Sequence, residues 1–204
     1  MPYRQQKIRA NLERRARVLA AVRAFFSLAG YLEVETPVRI PAPAPEAHID
    51  PVASESWYLH TSPELAMKRL LAAGLPHIYQ ICRCFRQGER GRRHLPEFTL
   101  LEWYTAHENY RHMMHQTEAL VRDAAVRLTG RPQIVFQGRT IDLALPFERL
   151  SVGEAFARWT DCTPAAALAA GRFDEIVALE IEPRLGWKRP VLLYDYPAAC
   201  AALA

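Results

Sequence analysis

Between Arg86 and Tyr104 the sequence gathers the side chains best suited to chemistry. Glu97 to Tyr104 (EFTLLEWY) reads as a strand, so Phe98, Leu100, Glu102 and Tyr104 share one face and Thr99, Leu101 and Trp103 the other. One face therefore combines an aromatic ring, a carboxylate and a phenol. A carboxylate on an otherwise apolar strand costs free energy unless something pairs with it. A neighbouring arginine such as Arg83 would serve, and so would the cation of a ligand; periodicity leaves both open. The loop before this strand holds Arg86, Glu89, Arg90, Arg92, Arg93 and His94. Guanidinium and imidazole groups above an aromatic ring suit a nucleotide, with phosphate on arginine and base on ring. A solvated basic hairpin tip has the same composition, and the spacing alone does not separate the two.

The four cysteines, Cys82, Cys84, Cys162 and Cys200, are too few and too scattered for a disulfide framework in 204 residues. Cys82 and Cys84 stand two apart and would share a strand face. No second Cys or His pair follows at ligand spacing, so the expectation is buried thiols and no metal site.

Half of the chain is hydrophobic, enough for one sizeable domain with a real core. No run approaches the roughly 18 apolar residues of a membrane span, and the Arg- and Gln-rich start from Met1 to Arg17 is unlike a secretory signal. The expected location is the cytoplasm, with no membrane partner. The net charge is +4, and of 26 basic residues only Lys7, Lys68 and Lys188 are lysine. Arginine grips carboxylate and phosphate with a planar fork, so the excess fits anionic ligands; a GC-rich genome gives the same bias.

The elements that must position these residues follow from pattern. Residues 8 to 29 read as an amphipathic helix, with Ile8, Leu12, Leu19, Val22 and Phe26 on one face and Gly30 as its stop. Tyr31 to Thr36 is a short β-rich run closed by Pro37. Pro41 to Ser56 is a proline-rich loop, neither helix nor central strand. Trp57 to His60 is a short strand; Ser62 as N-cap and Pro63 at the first position begin a helix that Gly74 ends. His77 to Arg86 and Glu97 to Tyr104 form a hairpin with a long basic connection. Asn109 to Leu128 is helical, Ser151 to Glu154 is a capping box, Thr163 with Pro164 starts a short helix ended by Gly171, and Arg189 to Tyr196 is an apolar strand before the Ala-Ala-Leu-Ala tail. The order gives an α+β fold with a mainly antiparallel sheet, a single domain over residues 1–204 without a linker.

The segment Ile81-CRCFRQGERGRRHLPEFTLLEWY104 resembles motif 2 of class II aminoacyl-tRNA synthetases, specifically the lysyl branch. Gly30-YLEVETP37 behind its long helix is similar to motif 1, the dimer-interface helix and strand, and Thr61-SPELAMKR69 resembles the substrate segment before motif 2. Glu64 stands 22 positions before Arg86, as in that family. A weaker likeness continues to Val191-LLYDYPA198. Within the branch, Thr-Ser-Pro-Glu and Leu-Glu-Trp-Tyr look like the spellings of the elongation factor P ligases. The helix of the first motif also begins near residue 8, so no anticodon-binding domain is expected before it.

The resemblance implies a class II synthetase-like antiparallel sheet flanked by helices, a homodimer, and ATP-dependent activation of lysine or β-lysine with transfer to elongation factor P; tRNA-Lys is the alternative acceptor, and a non-catalytic dimerising remnant the alternative from another class. It implies that Arg86 is catalytic, holding the α-phosphate and the substrate carboxylate. Ser62, Pro63 and Glu64 would lie near the substrate amino group, and Glu102 and Tyr104 would receive the side-chain ammonium. Phe98 would stack on adenine, with Gln87, Gly88, Glu89, His94 and Leu95 completing the ATP site. Gly88 stands where the family usually has Glu, and Leu95 where it often has Asn. Nothing resembles motif 3 or the strand that supplies Mg²⁺ ligands, so the C-terminal part of the domain is expected to be missing. Residues 1–204 alone are then expected to be inactive, although ATP and Mg²⁺ are implied for the family.

Overall fold

The computed structural model describes residues 4–46 and 49–201. The readings of the extreme N-terminus, the middle of the proline-rich loop (Ala47 and His48) and the alanine-rich tail therefore fall partly outside the described residues. The chain divides into two compact units, Val22–Asn109 and Met1–Ala21 with Tyr110–Ala204.

The unit Val22–Asn109 begins in the last turns of α1 (Arg4–Leu28). Gly30 sits at φ +78°, a conformation that penalises any Cβ, and donates its N–H to the Ser27 carbonyl (3.2 Å). The Tyr31 N–H reaches back to the Phe26 carbonyl (2.9 Å), completing a Schellman cap. Phe26, fully buried, stacks on Tyr79 with centroids 4.6 Å apart and lies 5.5 Å from Trp103. Burying such a ring stabilises the fold by about 1.5–3 kcal/mol. The apolar face read from the sequence divides. Val22 and Phe26 are buried, whereas Ile8 and Leu12 are 38% and 52% exposed.

After β1 (Leu32–Glu33), β2 (Arg39–Ile40), β3 (Val52–Ser54) and β4 (Trp57–Leu59) form a small antiparallel sheet in the order β2-β4-β3. β3 lies inside the proline-rich stretch, but as an edge strand, where nearby prolines break no ladder. In α2 (Glu64–Ala72) the cap shifts by one from the expected position: Pro63 occupies it with φ −78°, while the Ser62 hydroxyl accepts the Glu64 N–H at 3.0 Å. The ring of Pro63 already holds φ near the helical value, which lets the helix start there.

β5 (His77–Phe85) and β6 (Glu97–Thr105) are the expected hairpin, antiparallel with Ile78 opposite Tyr104, Gln80 opposite Glu102, Cys82 opposite Leu100 and Cys84 opposite Phe98. β1 pairs with β5 in parallel, so the sheet runs β1-β5-β6 with β6 at its edge. One face packs Tyr79 and Trp103 against Phe26; the opposite face carries the polar groups.

In the other unit, α3 (Tyr110–Thr129) is followed by a hairpin the pattern did not reveal, β7 (Gln133–Phe136) and β8 (Arg139–Asp142). Its two-residue turn has Gln137 at φ 49° and Gly138 at φ 76°, the left-handed pair that matches strand twist. β9 (Glu148–Ser151) and β10 (Val191–Tyr194) pair in parallel, as β1 does with β5, while the other strand pairs are antiparallel, as expected for most of the sheet. β10 is also shorter than the run Arg189 to Tyr196, because Asp195 turns left-handed at φ 55°. The Ser151 capping box opens α4 (Val152–Trp159), and Thr163 caps α5 (Pro164–Ala169), both as read. α6 (Phe173–Ile176) runs on through a π-turn and a 3₁₀ turn to Arg184. Leu150, Phe156, Phe173 and Ile181 form the core of these elements.

Candidate active site

Glu102 is held on the polar face of the hairpin by two neutral hydroxyls. The Ser62 hydroxyl donates to Oε1 at 2.5 Å and the Tyr104 hydroxyl to Oε2 at 3.0 Å. The same Ser62 oxygen accepts the Glu64 N–H, so the start of α2 is tied to β6 through one atom. Arg83 is not its partner. It lies on the other face, where β-alternation puts it, and pairs with Glu97 at 3.7 Å. Burial pushes the Glu102 pKa up; the Ser62 and Tyr104 donors oppose this, while the nearby charges of Glu64 and Cys82 add to it. Burial and Glu102 together push the Tyr104 phenol up as well. A desolvated carboxylate in this setting gains from an approaching cation. The second acid expected here, Glu64, has its charge met by Lys68 at 2.7 Å, one helical turn on.

Arg86 follows β5 on the same face. Its guanidinium carbon lies 5.0 Å above the Phe98 ring, its Nε donates to the Thr61 carbonyl at 3.4 Å, and Glu89 is 3.7 Å from Nη1. Cation–π stacking thus occupies the ring face expected to be free for a base. Gly88, at φ +77°, shapes the turn that returns Glu89 to Arg86, so the one-place shift of the acid along the chain keeps it beside the arginine. Gln87, His94 and Leu95 are exposed, as are Arg90, Arg92 and Arg93. The loop is anchored at its base, by the Arg86 N–H to the Pro96 carbonyl and the Gln87 N–H to the Asp50 carbonyl. The structure therefore brings together Ser62, Pro63, Glu64, Arg86, Glu89, Phe98, Glu102 and Tyr104, and leaves Gln87, His94 and Leu95 at the surface.

Sequence reasoning missed His60. It is 1% exposed at the end of β4, its Nε2 lies 2.6 Å from the Arg83 carbonyl, and Cys84 Sγ is 3.9 Å away. Cys82 and Cys84 approach to 3.7 Å. The Cys84 hydrogen bond lowers the Cys82 pKa despite burial, helped by His60; the same contact, with burial, raises that of Cys84. Burial alone would lower the His60 pKa, but its contacts with Cys82 and the Arg83 carbonyl carry it up. The signal was available as a histidine at the end of a strand candidate, 22 residues before Cys82, rather than in a following pair.

A family model described as tRNA synthetases class II (D, K and N) matches residues 1–204. The chain belongs to that family. It is similar to the elongation factor P–(R)-β-lysine ligase of Erwinia tasmaniensis, 37% identical over 215 residues, covering 96% of this chain and 65% of the relative. The corresponding ligase of Sodalis glossinidius (strain morsitans) is also 37% identical, over 213 residues and the same shares. The lysine–tRNA ligase of Thiobacillus denitrificans is 40% identical over 157 residues, 74% of this chain and 31% of that protein. The chain thus spans just under two thirds of the length of the first ligases it matches. For a class II synthetase domain, Arg86 on its hairpin and the Glu102 network on the same face stand in the stretch that carried the likeness to motif 2.

Proposed function

We propose that this protein activates lysine or β-lysine with ATP and passes the aminoacyl group to a lysine of elongation factor P. The observation that carries the reading is Glu102, a half-buried carboxylate held by the Ser62 and Tyr104 hydroxyls beside the Arg86–Phe98 pair. Glu102 and Tyr104 receive the substrate's side-chain ammonium, and Glu64 and Ser62 lie near its amino group. In the first step a substrate carboxylate oxygen attacks the α-phosphorus of ATP and pyrophosphate leaves. Arg86, exchanging its 3.7 Å contact with Glu89 for the incoming oxygens, offsets the negative charge that builds there. In the second step the acceptor amine attacks the acyl carbon of the adenylate and AMP leaves.

Mg²⁺ serves such reactions by neutralising phosphate charge. Among the described residues the one cluster of three or more potential ligand side chains is His60, Cys82 and Cys84, a thiol set that does not suit Mg²⁺. A polypeptide of residues 1–204 by itself is accordingly proposed to lack pyrophosphate exchange. The family match over residues 1–204 supports reading both units as one catalytic domain. The exposed Ile8 and Leu12 of α1 support a homodimer, and with no described helix long and apolar enough to cross a membrane, the cytoplasm is the proposed location.

Greater coverage of the elongation factor P ligases than of the lysine–tRNA ligase favours the protein acceptor. The test is pyrophosphate exchange by the full-length protein with L-lysine and with (R)-β-lysine, followed by transfer assays to elongation factor P and to tRNA-Lys. Exchange with either diamino acid and labelling of elongation factor P are expected. Efficient charging of tRNA-Lys without transfer to elongation factor P would reverse the acceptor assignment.

A further inference from the structure

Gln80, Cys82 and Cys84 alternate onto one face of β5, and His60 arrives there from the end of β4. The two sulfurs stand 3.7 Å apart, and Nε2 of His60 lies 3.9 Å from Cys84 Sγ. All three donor atoms fall within 4.8 Å of one another. Two thiolates bound at ~2.3 Å to one tetrahedral zinc are themselves about 3.8 Å apart. The sulfurs therefore already have the spacing a shared ion requires, and Nε2, now 2.6 Å from the Arg83 carbonyl, has to turn from that oxygen toward them.

A disulfide is the competing use of such a pair, and backbone geometry disfavours it. Strand rise sets the Cα atoms of residues i and i+2 at ~6.6 Å, near the upper limit for a disulfide, and the ladder to β6 holds β5 in that extended form. Access and support are both present. Cys82 is half-buried and, with Gln80, lines a cleft of about 470 Å³. Gln80 is 1% exposed, and neither atom of its amide has a hydrogen-bond partner of ordinary geometry. It nevertheless lies close enough to Cys82 to affect the thiol, where it can donate to a metal-bound thiolate.

We propose that Nε2 of His60 and the thiolates of Cys82 and Cys84 form a site for a borderline or soft cation, Zn²⁺ foremost, with a fourth position left to water. Thiolate and imidazole donors select zinc over magnesium or calcium, so the site is chemically separate from any ion that accompanies ATP. Binding takes the proton now donated to the Arg83 carbonyl off Nε2, to Nδ1 in a neutral imidazole or to solvent from an imidazolium, and releases the thiol protons to solvent. Its structural effect is to fasten the end of β4, and with it the Thr61–Glu64 entry into α2, to β5 beneath the Glu102 network.

The test is an anaerobic titration of the reduced, full-length protein with Co²⁺ as probe. One equivalent should produce a thiolate-to-cobalt charge-transfer band that Zn²⁺ then abolishes by displacement, and Zn²⁺ should raise the melting temperature where Mg²⁺ does not. Cys82→Ser should weaken the metal more than 10-fold, with Cys200→Ser unchanged. Because a variant can fail for reasons of folding, the wild type supplies a second readout: one equivalent of Zn²⁺ should slow alkylation of Cys82 by iodoacetamide, mapped by peptide mass. Absence of a thiolate band at stoichiometric cobalt, or Cys82 alkylation indifferent to Zn²⁺, would overturn the proposal.

Discussion

The two ends of the β5–β6 hairpin rest on the same pair of strands and hold their polar groups in opposite ways. At the Glu102 end every charged or hydroxyl group is already engaged: Ser62 and Tyr104 on the carboxylate, the Glu64 N–H on Ser62, and Lys68 on Glu64. At the loop end Gln87, Arg90, Arg92, Arg93, His94 and Leu95 face solvent, while Arg86 pairs with Glu89 and Arg83 with Glu97. The difference follows from where each group sits. Strand groups between neighbours gain by pairing, because an unpaired buried polar group such as the Gln80 amide costs about 1–3 kcal/mol, whereas loop residues are satisfied by water. A preorganised end discriminates between ligands with little ordering cost; a solvated end contributes charge without discrimination.

Four changes probe that contrast. Glu102→Gln removes the charge at the ordered end, and losing one partner of a desolvated pair costs on the order of 3–5 kcal/mol, so diamino-acid activation should fall roughly 10²-fold or more. Retention of full activity in pyrophosphate exchange would place the ammonium elsewhere. Phe98→Ala, between the two ends, removes a stacking surface of about 1–3 kcal/mol, which should weaken ATP roughly 5- to 150-fold by calorimetry. Unchanged ATP affinity would leave that ring to Arg86 alone.

The third change concerns pH. Because burial raises the Glu102 pKa, the native state keeps this proton above the ordinary value of 4.5 while the unfolded chain releases it. Stability from this group is therefore fully present below pH 4.5 and lost as pH rises through the elevated folded value. Melting temperatures of wild type and Glu102→Gln should converge in acid and separate above it, with the variant the more stable. A wild type that gains from its carboxylate at neutral pH would mean Glu102 is a structural ion pair after all. Smallest is Arg92→Ala at the exposed loop, expected to change stability by no more than about 0.5 kcal/mol in a denaturant titration.

What could be read from the sequence depended on whether a feature was local. The Gly30 stop, the Ser151 capping box, the hairpin strands and the shared face of Phe98, Glu102 and Tyr104 each follow from short-range periodicity or end chemistry, and the structure has them. Arg83 falls on the face away from Glu102 only through the register that sets Gln80 opposite Glu102, so periodicity left that pairing open. The β7–β8 hairpin lacked the usual strong turn pair, since Gln137 occupies a left-handed site without being Asn or Asp. The parallel pairing of β9 with β10 joins residues more than 40 apart, and no local signal encodes it. His60 stood at the end of a strand candidate, but only the folded chain brings it to Cys82 and Cys84. The site's polar strand face was thus legible, while the partners of Glu102 and Arg86 needed the tertiary structure.

The central claim is that Glu102 recognises a side-chain ammonium, and ligand selectivity tests it most directly. Calorimetric titration of the full-length protein with lysine and with norleucine, which matches its length but lacks the terminal amine, isolates that group. Wild type is expected to prefer lysine by about 10²-fold or more, and folded Glu102→Gln to lose most of that preference. Equal binding of the two amino acids by wild type, or an undiminished preference in the variant, would contradict the account.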